Sequence, residues 1–348
     1  MTEVKHTALY RTHRPQKFKD VRGQEHVVGV LEAAIKNKKI GHAYLFSGTR
    51  GTGKTSVARI FARDIGTSEK DIYEIDAASH NSVDDIRELR EGVHVLPFES
   101  SYKVYIIDEV HMLSGSAWNA FLKTLEEPPA HAVFVLATTE LHKVPDTIQS
   151  RCEVYSFKQP SREVLARSVA DVAKKEGFTL EQSAADLVAL LSEGSFRDAL
   201  SILQKVLTIS KDKKVDLAEV ERVTGAPRAT LVRAAVEALA KNDADRAIQA
   251  IGDAVADNVD MRLFAKLIMH RVRAVLLLRH APDMKAHLQD ELTEEDFELV
   301  EGYAKDKELP ISSHTLRALL DAYATMSYAA IPHLPLELAV IDITAKEG

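Results

Sequence analysis

Residues Gly48 to Thr55 read Gly-Thr-Arg-Gly-Thr-Gly-Lys-Thr, the complete G-x-x-x-x-G-K-[ST] spacing of a loop that wraps phosphate. Glycine lets the backbone curl until successive amides through Ser56, those of Thr49, Arg50, Gly51, Thr52 and Gly53 among them, face phosphate oxygens. Lys54 reaches the β- and γ-phosphates, and the Thr55 hydroxyl offers a ligand for Mg²⁺. The helix that follows aims its positive end at the same oxygens. A glycine-rich turn without a ligand is the alternative. The strand before the loop and the helix after it favour a nucleoside triphosphate.

A second group is Asp108-Glu109, directly after the β-branched run Val104 to Ile107. Acids at the carboxyl end of a buried parallel strand face the ligand crevice. There Asp108 can hold Mg²⁺, and Glu109 can orient and deprotonate the water that attacks the γ-phosphate; otherwise the pair is an acidic surface turn. Thr138-Thr139-Glu140 ends another apolar run, so a hydroxyl there bonds the γ-phosphate or the water, or simply closes a turn. Arg151, in Ser150-Arg151-Cys152, is either a surface arginine or one that reaches a neighbouring subunit's γ-phosphate. In trans, such an arginine contributes on the order of 10³ to 10⁵ in rate. Arg197 lies in the first turn of a helix capped by Ser195, where a cation opposes the helix dipole. A phosphate relieves that mismatch, and so does an acid such as Asp198. His111 reads as packed or as support for the site.

The elements that must position these residues are legible in the spacing. Apolar runs at Ala43 to Phe46, Ile72 to Ile75, Val104 to Ile107, Val133 to Ala137 and Val154 to Phe157 predict strands. They alternate with helical stretches at Thr55 to Asp64, Val83 to Val95 and Gly115 to Glu126, which predicts a parallel sheet with helices on both faces. After Gln159-Pro160 the strand signal vanishes and amphipathic helices follow at Arg162 to Glu176, Gln182 to Glu193 and Phe196 to Leu207. Gly225-Ala226-Pro227 marks a boundary, and helical segments continue to Leu336 to Thr344. The expected organisation is a P-loop domain over 1–159, a small helical lid over 160–224 and a helical domain over 225–348.

A length of 348 residues suits two or three domains, and 45% hydrophobic with 28% charged residues is ordinary for a soluble chain. No apolar run is long enough to span a membrane, and Met1 to His6 lacks a signal-peptide core, so a cytoplasmic location is expected. The single cysteine, Cys152, excludes an internal disulfide and a thiolate-rich zinc site. Net charge is −7, yet 14 of the 45 basic and 20 of the 52 acidic residues lie from Gly225 onward. The first two thirds are thus nearly neutral, with no strong electrostatic footprint for nucleic acid.

With these residues in place the chain resembles the AAA+ ATPases and, among them, the gamma/tau subunit family of bacterial DNA polymerase III, the motor of the sliding-clamp loader. The likeness runs through Tyr10 to Pro15, Val21 to His26, His42 to Thr55, Glu74 to Ser79, Ile107 to Leu113, Leu122 to Pro129, Leu136 to Glu140, Ser150 to Cys152 and Glu193 to Leu200. It implies an ATPase, associated as a holoenzyme subunit with DNA-directed DNA polymerase activity, that uses ATP and Mg²⁺ to open and load a sliding clamp on primer-template DNA. Its partners are other loader subunits and copies of itself in a pentamer, with the clamp and DNA, and no membrane.

The resemblance also implies roles. Thr138 or Thr139 is the first sensor, Arg197 the second, and Arg151 the arginine finger. Tyr10, Arg11, Arg14 and Val21 surround the adenine or triphosphate, and Ser79, His80, Asn81 and Ser82 track template phosphates. The helices from Gly225 form an oligomerisation collar. Family members usually carry a four-cysteine zinc module where Arg63 to Lys70 crosses here without cysteine, so no zinc is expected. The chain stops at Gly348, where tau forms extend into a tail that binds polymerase and helicase. Two rivals remain: an ATP-gated scaffold with little turnover, and a DNA-translocating AAA+ motor, which calls for a carboxy-terminal winged-helix domain with basic strands.

Overall fold

The computed structural model of the chain describes residues 8–210 and 212–345. Met1 to His6, read above against a signal peptide, and the end at Gly348 lie outside them. Five strands form one parallel sheet: β1 Ala43–Ser47, β2 Ile72–Asp76, β3 Lys103–Asp108, β4 Ala132–Thr138 and β5 Glu153–Ser156. Their spatial order is β2-β3-β4-β1-β5. Every strand expected from the sequence is present, with ends displaced by a residue.

Strands buried on both faces need apolar side chains at every position, which is why β1, β3 and β4 read as continuous runs. Successive residues still take opposite faces. Leu45, Ile107, Phe134 and Leu136 pack with the helices Val83–His94 and Gly115–Glu126. Tyr44, Phe46, Ile106 and Val135 pack on the other side with Glu25–Lys36 and Lys54–Asp64. Each fully buried side chain of this kind stabilises by about 1.5–3 kcal/mol. The register sets Ser47 beside Thr138, Ile107 beside Leu136 and Asp76 beside Asp108. The segments that follow β1, β3 and β4 therefore leave the sheet along one edge.

Contacts divide the chain into two units: residues to Val172 with Ala189–Gln204, and Ala173–Val188 with Lys205 onward. In the second unit the expected loss of strands after Pro160 needs correcting, because Thr179–Leu180 pairs in parallel with Lys214–Val215. Two-residue strands are too short to show a period in sequence. From Gly225 on, the described residues contain helices and one 3₁₀ turn but no strand. Met261–His280 is the central helix, packed against Ala229–Ala240, Glu294–Lys305 and Ser313–Thr325. No helix among the described residues is long and apolar enough to cross a membrane.

One charged cluster sits inside this helical packing. The Arg271 guanidinium donates to Asp296 at 2.6 Å, and Arg233 donates to the other Asp296 oxygen at 3.0 Å. The Arg271 and Asp296 side chains are only 8% and 9% exposed. Replacing Asp296 by Ala leaves Arg271 buried without its counter-charge, at a cost of about 3–5 kcal/mol. Denaturant unfolding checks this, and a loss below about 1 kcal/mol, the range of an exposed pair, contradicts it. Burial raises the Asp296 pKa, but the two arginines outweigh it and hold the carboxyl below its usual range. A depressed folded-state pKa contributes stability above the unfolded value, about 4, which is lost as pH falls through the folded value. The stability gap between wild type and Asp296→Asn should therefore narrow on acidification below about pH 4.

Candidate active site

The phosphate-type loop joins β1 to the helix Lys54–Asp64 and is held by backbone that only glycine supplies. Gly48 and Gly51 have φ of 149° and 75°. A Cβ at Gly48 would lie 2.5 Å from the Phe157 carbonyl oxygen, and one at Gly51 would fall on the Ser195 hydroxyl. The Phe196 amide donates to the Gly51 carbonyl at 3.0 Å, and the Gly48 amide to the Thr138 carbonyl at 3.2 Å. Thr49 and Arg50 are exposed, while Ser56 is half-buried on the helix's second position after Lys54.

Lys54 is 6% exposed. Its Nζ donates to the carbonyls of Gly48 and Thr49 at 2.8 and 2.9 Å. Burial pulls its pKa below the usual lysine value, with Glu109 and Asp108 working the other way. The Thr55 hydroxyl donates to Asp108 Oδ2 at 2.7 Å. Hydroxyl and carboxylate oxygens are the hard donors that suit Mg²⁺, which binds through one or two carboxylates with substrate phosphates and water. The residues present fit that ion. No group of three or more His, Cys, Asp or Glu side chains that could hold a metal ion occurs among the described residues.

Glu109, the residue after Asp108, adopts the left-handed conformation, φ 49° and ψ 44°. Such a backbone costs a non-glycine residue about 1–3 kcal/mol and is found where surrounding structure enforces it. Its Oε2 accepts from the Thr139 hydroxyl at 3.1 Å and lies 3.5 Å from His111 Nδ1. The two threonines divide. Thr138 is 0% exposed, and its hydroxyl oxygen accepts the Glu140 amide at 3.0 Å, so Thr139 is the hydroxyl facing Glu109.

Cations converge on the same region. Arg14 is half-buried, and its pKa is lowered by burial and by Arg59 and Arg197 nearby, against Glu74 and Asp108. The Arg197 guanidinium lies over the Tyr10 ring at 5.0 Å, and that of Arg11 at 5.8 Å. The phenol of Tyr10 is lowered by its bonds to Arg11 and Arg197. Val21 packs at the edge of the hydrophobic core.

The comparisons with known proteins decide the family. DNA polymerase III subunit tau of Bacillus subtilis is 36% identical over 98% of this chain, and DNA polymerase III subunit gamma/tau of Mycobacterium tuberculosis is 38% identical over 79% of it. The chain is a homologue of the DNA polymerase III gamma/tau subunits. It spans 63% and 52% of the length of these two relatives. A family model described as DNA polymerase III, delta subunit, matches residues 23–80 and 66–161. The Thermotoga maritima RuvB Holliday junction branch migration motor superposes with a TM-score of 0.53 at 21% identity, over 65% of this chain and 78% of that one. That likeness shows the fold: a parallel sheet flanked by helices, with helical regions after it.

Other residues singled out in this gamma/tau homologue have their partners outside the loop. Arg151 donates from Nη2 to Glu126 Oε1 and from Nη1 to the Thr147 carbonyl, each at 2.7 Å. Ser82 caps the helix Val83–His94 in a reciprocal pair with Asp85, and the Asn81 carbonyl accepts from Ser114. Ser79 and His80 bond back to the Asp76 carbonyl. Asp84 and Asp85 in that first turn place negative charge where DNA phosphates were expected.

Three contributors escaped the sequence reading. Gln24, fully buried, donates to Lys158 and Thr52 carbonyls and accepts from the Lys158 amide, tying the loop to the end of β5. Arg59, paired with Glu74, joins the cation cluster from the turn after Thr55. Ser195, read only as a helix cap, also packs on Gly51. The four-residue spacing from Thr55 to Arg59 was a usable signal, whereas the other two contacts join distant segments.

Proposed function

We propose that this chain is the ATP-hydrolysing motor subunit of a DNA polymerase III clamp loader, using ATP to open and load a sliding clamp on primer-template DNA. The observation that carries the reading is the Thr55–Asp108 hydrogen bond beside Glu109 at the mouth of the loop. Phosphoryl transfer needs little covalent help from protein and depends on positioning and charge. Lys54 holds the β- and γ-phosphates, trading the Gly48 and Thr49 carbonyls for phosphate oxygens. Thr55 and Asp108 hold Mg²⁺, which when bound neutralises charge that develops on the phosphates. Glu109 takes the proton of the attacking water, Thr139 donates to the γ-phosphate, and Arg14 and Arg197 add positive charge. Arg151 acts on a neighbouring subunit's nucleotide, and the helices from Gly225 hold subunits together as a collar.

The test is steady-state ATP turnover by the chain assembled with its partner loader subunits, with and without sliding clamp and primed DNA. Joint stimulation by clamp and DNA is the expected result. Tight ATP binding with little turnover supports the scaffold instead, and stimulation by DNA that ignores the clamp supports a translocase. The translocase reading lacks its winged-helix strands among the described residues after Gly225.

A further inference from the structure

We propose that His111 is the positioning residue for Glu109, holding its carboxylate in line once Thr139 has turned to the nucleotide. The inference rests on the reading of Glu109 as the group that activates water. His111 sits in the 3₁₀ turn Val110–Met112, two residues beyond Glu109 and its left-handed bend. The imidazole is 8% exposed, and each ring nitrogen meets a different partner set. Nδ1 lies 3.1 Å from Thr138 Oγ1 and 3.5 Å from Glu109 Oε2. Nε2 lies 3.2 Å from Glu140 Oε2, and Glu140 in turn is paired with Lys143 at 2.8 Å.

The ring is therefore fixed from behind by Glu140 and from the side by a threonine buried in the sheet. Only its Nδ1 edge faces the reacting carboxylate. Thr139 also donates to Glu109, but a hydroxyl has one proton to give. When that proton goes to a γ-phosphate oxygen, Glu109 loses its Thr139 donor. With a proton on each ring nitrogen, one directed at Glu140 and one at Oε2, His111 then holds the carboxylate from a support that nucleotide does not disturb. A carboxylate left to rotate after losing Thr139 spends little time aligned on the water, and loss of alignment of this kind costs up to about 10²-fold in rate.

The variants that test this separate the two ring edges. Asn at 111 can return a donor near the Nδ1 position, whereas Gln reaches toward the Nε2 position and serves Glu140. In the assembled loader with clamp and primed DNA, His111→Ala and His111→Gln should each lower kcat by about 10- to 100-fold with ATP affinity unchanged, and His111→Asn should recover most of the rate. Thermal unfolding and equilibrium binding of a non-hydrolysable ATP analogue are measured on the same samples. Wild-type kcat in His111→Ala overturns the inference. So does equal behaviour of Asn and Gln, or a rate loss that follows loss of ATP affinity or of the folded state in all three variants. Absence of turnover by the wild-type assembly overturns the hydrolytic reading and this one with it.

Discussion

An assembly built only from Lys54→Ala subunits should lose ATP turnover by at least 10²- to 10³-fold, on the order expected when a charge fixed on the reacting phosphates is removed. Lys54 is buried in its own loop with its ammonium on two carbonyls. Shortening it to a methyl takes away the cation meant for the β- and γ-phosphates and leaves the Gly48 and Thr49 carbonyls without their donor. Binding of a fluorescent ATP analogue should weaken together with turnover. The sheet should stay intact, because Lys54 contributes no side chain to either hydrophobic layer. Parallel measurement of turnover, analogue binding and thermal midpoint checks the prediction, and undiminished turnover with normal binding contradicts the placement of nucleotide in this loop.

Arg151→Ala should produce the other large effect, with a different signature. Within its own chain the guanidinium is occupied by Glu126 and the Thr147 carbonyl, both on the surface. ATP binding by the isolated chain should therefore be unchanged. In the assembly, turnover should fall on the order of 10³-fold or more, the scale of an arginine supplied in trans. Mixed assemblies sharpen the result: a single Arg151→Ala subunit should silence a neighbour's site while its own remains competent. Normal turnover by an assembly made wholly of Arg151→Ala chains contradicts the trans role.

The three inner strands were legible because β1, β3 and β4 are buried on both faces and so appear as unbroken apolar runs between turn residues. The loop was legible because its glycines and Lys54 are adjacent in sequence. What joins Glu109 to Thr139, Gln24 to Lys158 or Gly51 to Ser195 was not legible, since each contact closes a separation of many residues and depends on strand register. The division of labour between Thr138 and Thr139 is a case in point. Adjacent residues leaving a strand take opposite faces, and only the register with β1 and β3 shows which hydroxyl is buried. The ladder Thr179–Leu180 with Lys214–Val215 went unseen for want of length.

The hydrogen bond from the Phe196 amide to the Gly51 carbonyl has a mechanical meaning. It fastens the loop that wraps phosphate to the first residue of the helix that carries Arg197. The Ser195 hydroxyl occupies the space a side chain on Gly51 would need, so the two segments leave little slack between them. Any change in the curl of the loop on filling or emptying is thus delivered as a push or pull at the root of that helix. A nucleotide in this loop, as proposed above, would act on that helix through one backbone hydrogen bond within a single chain.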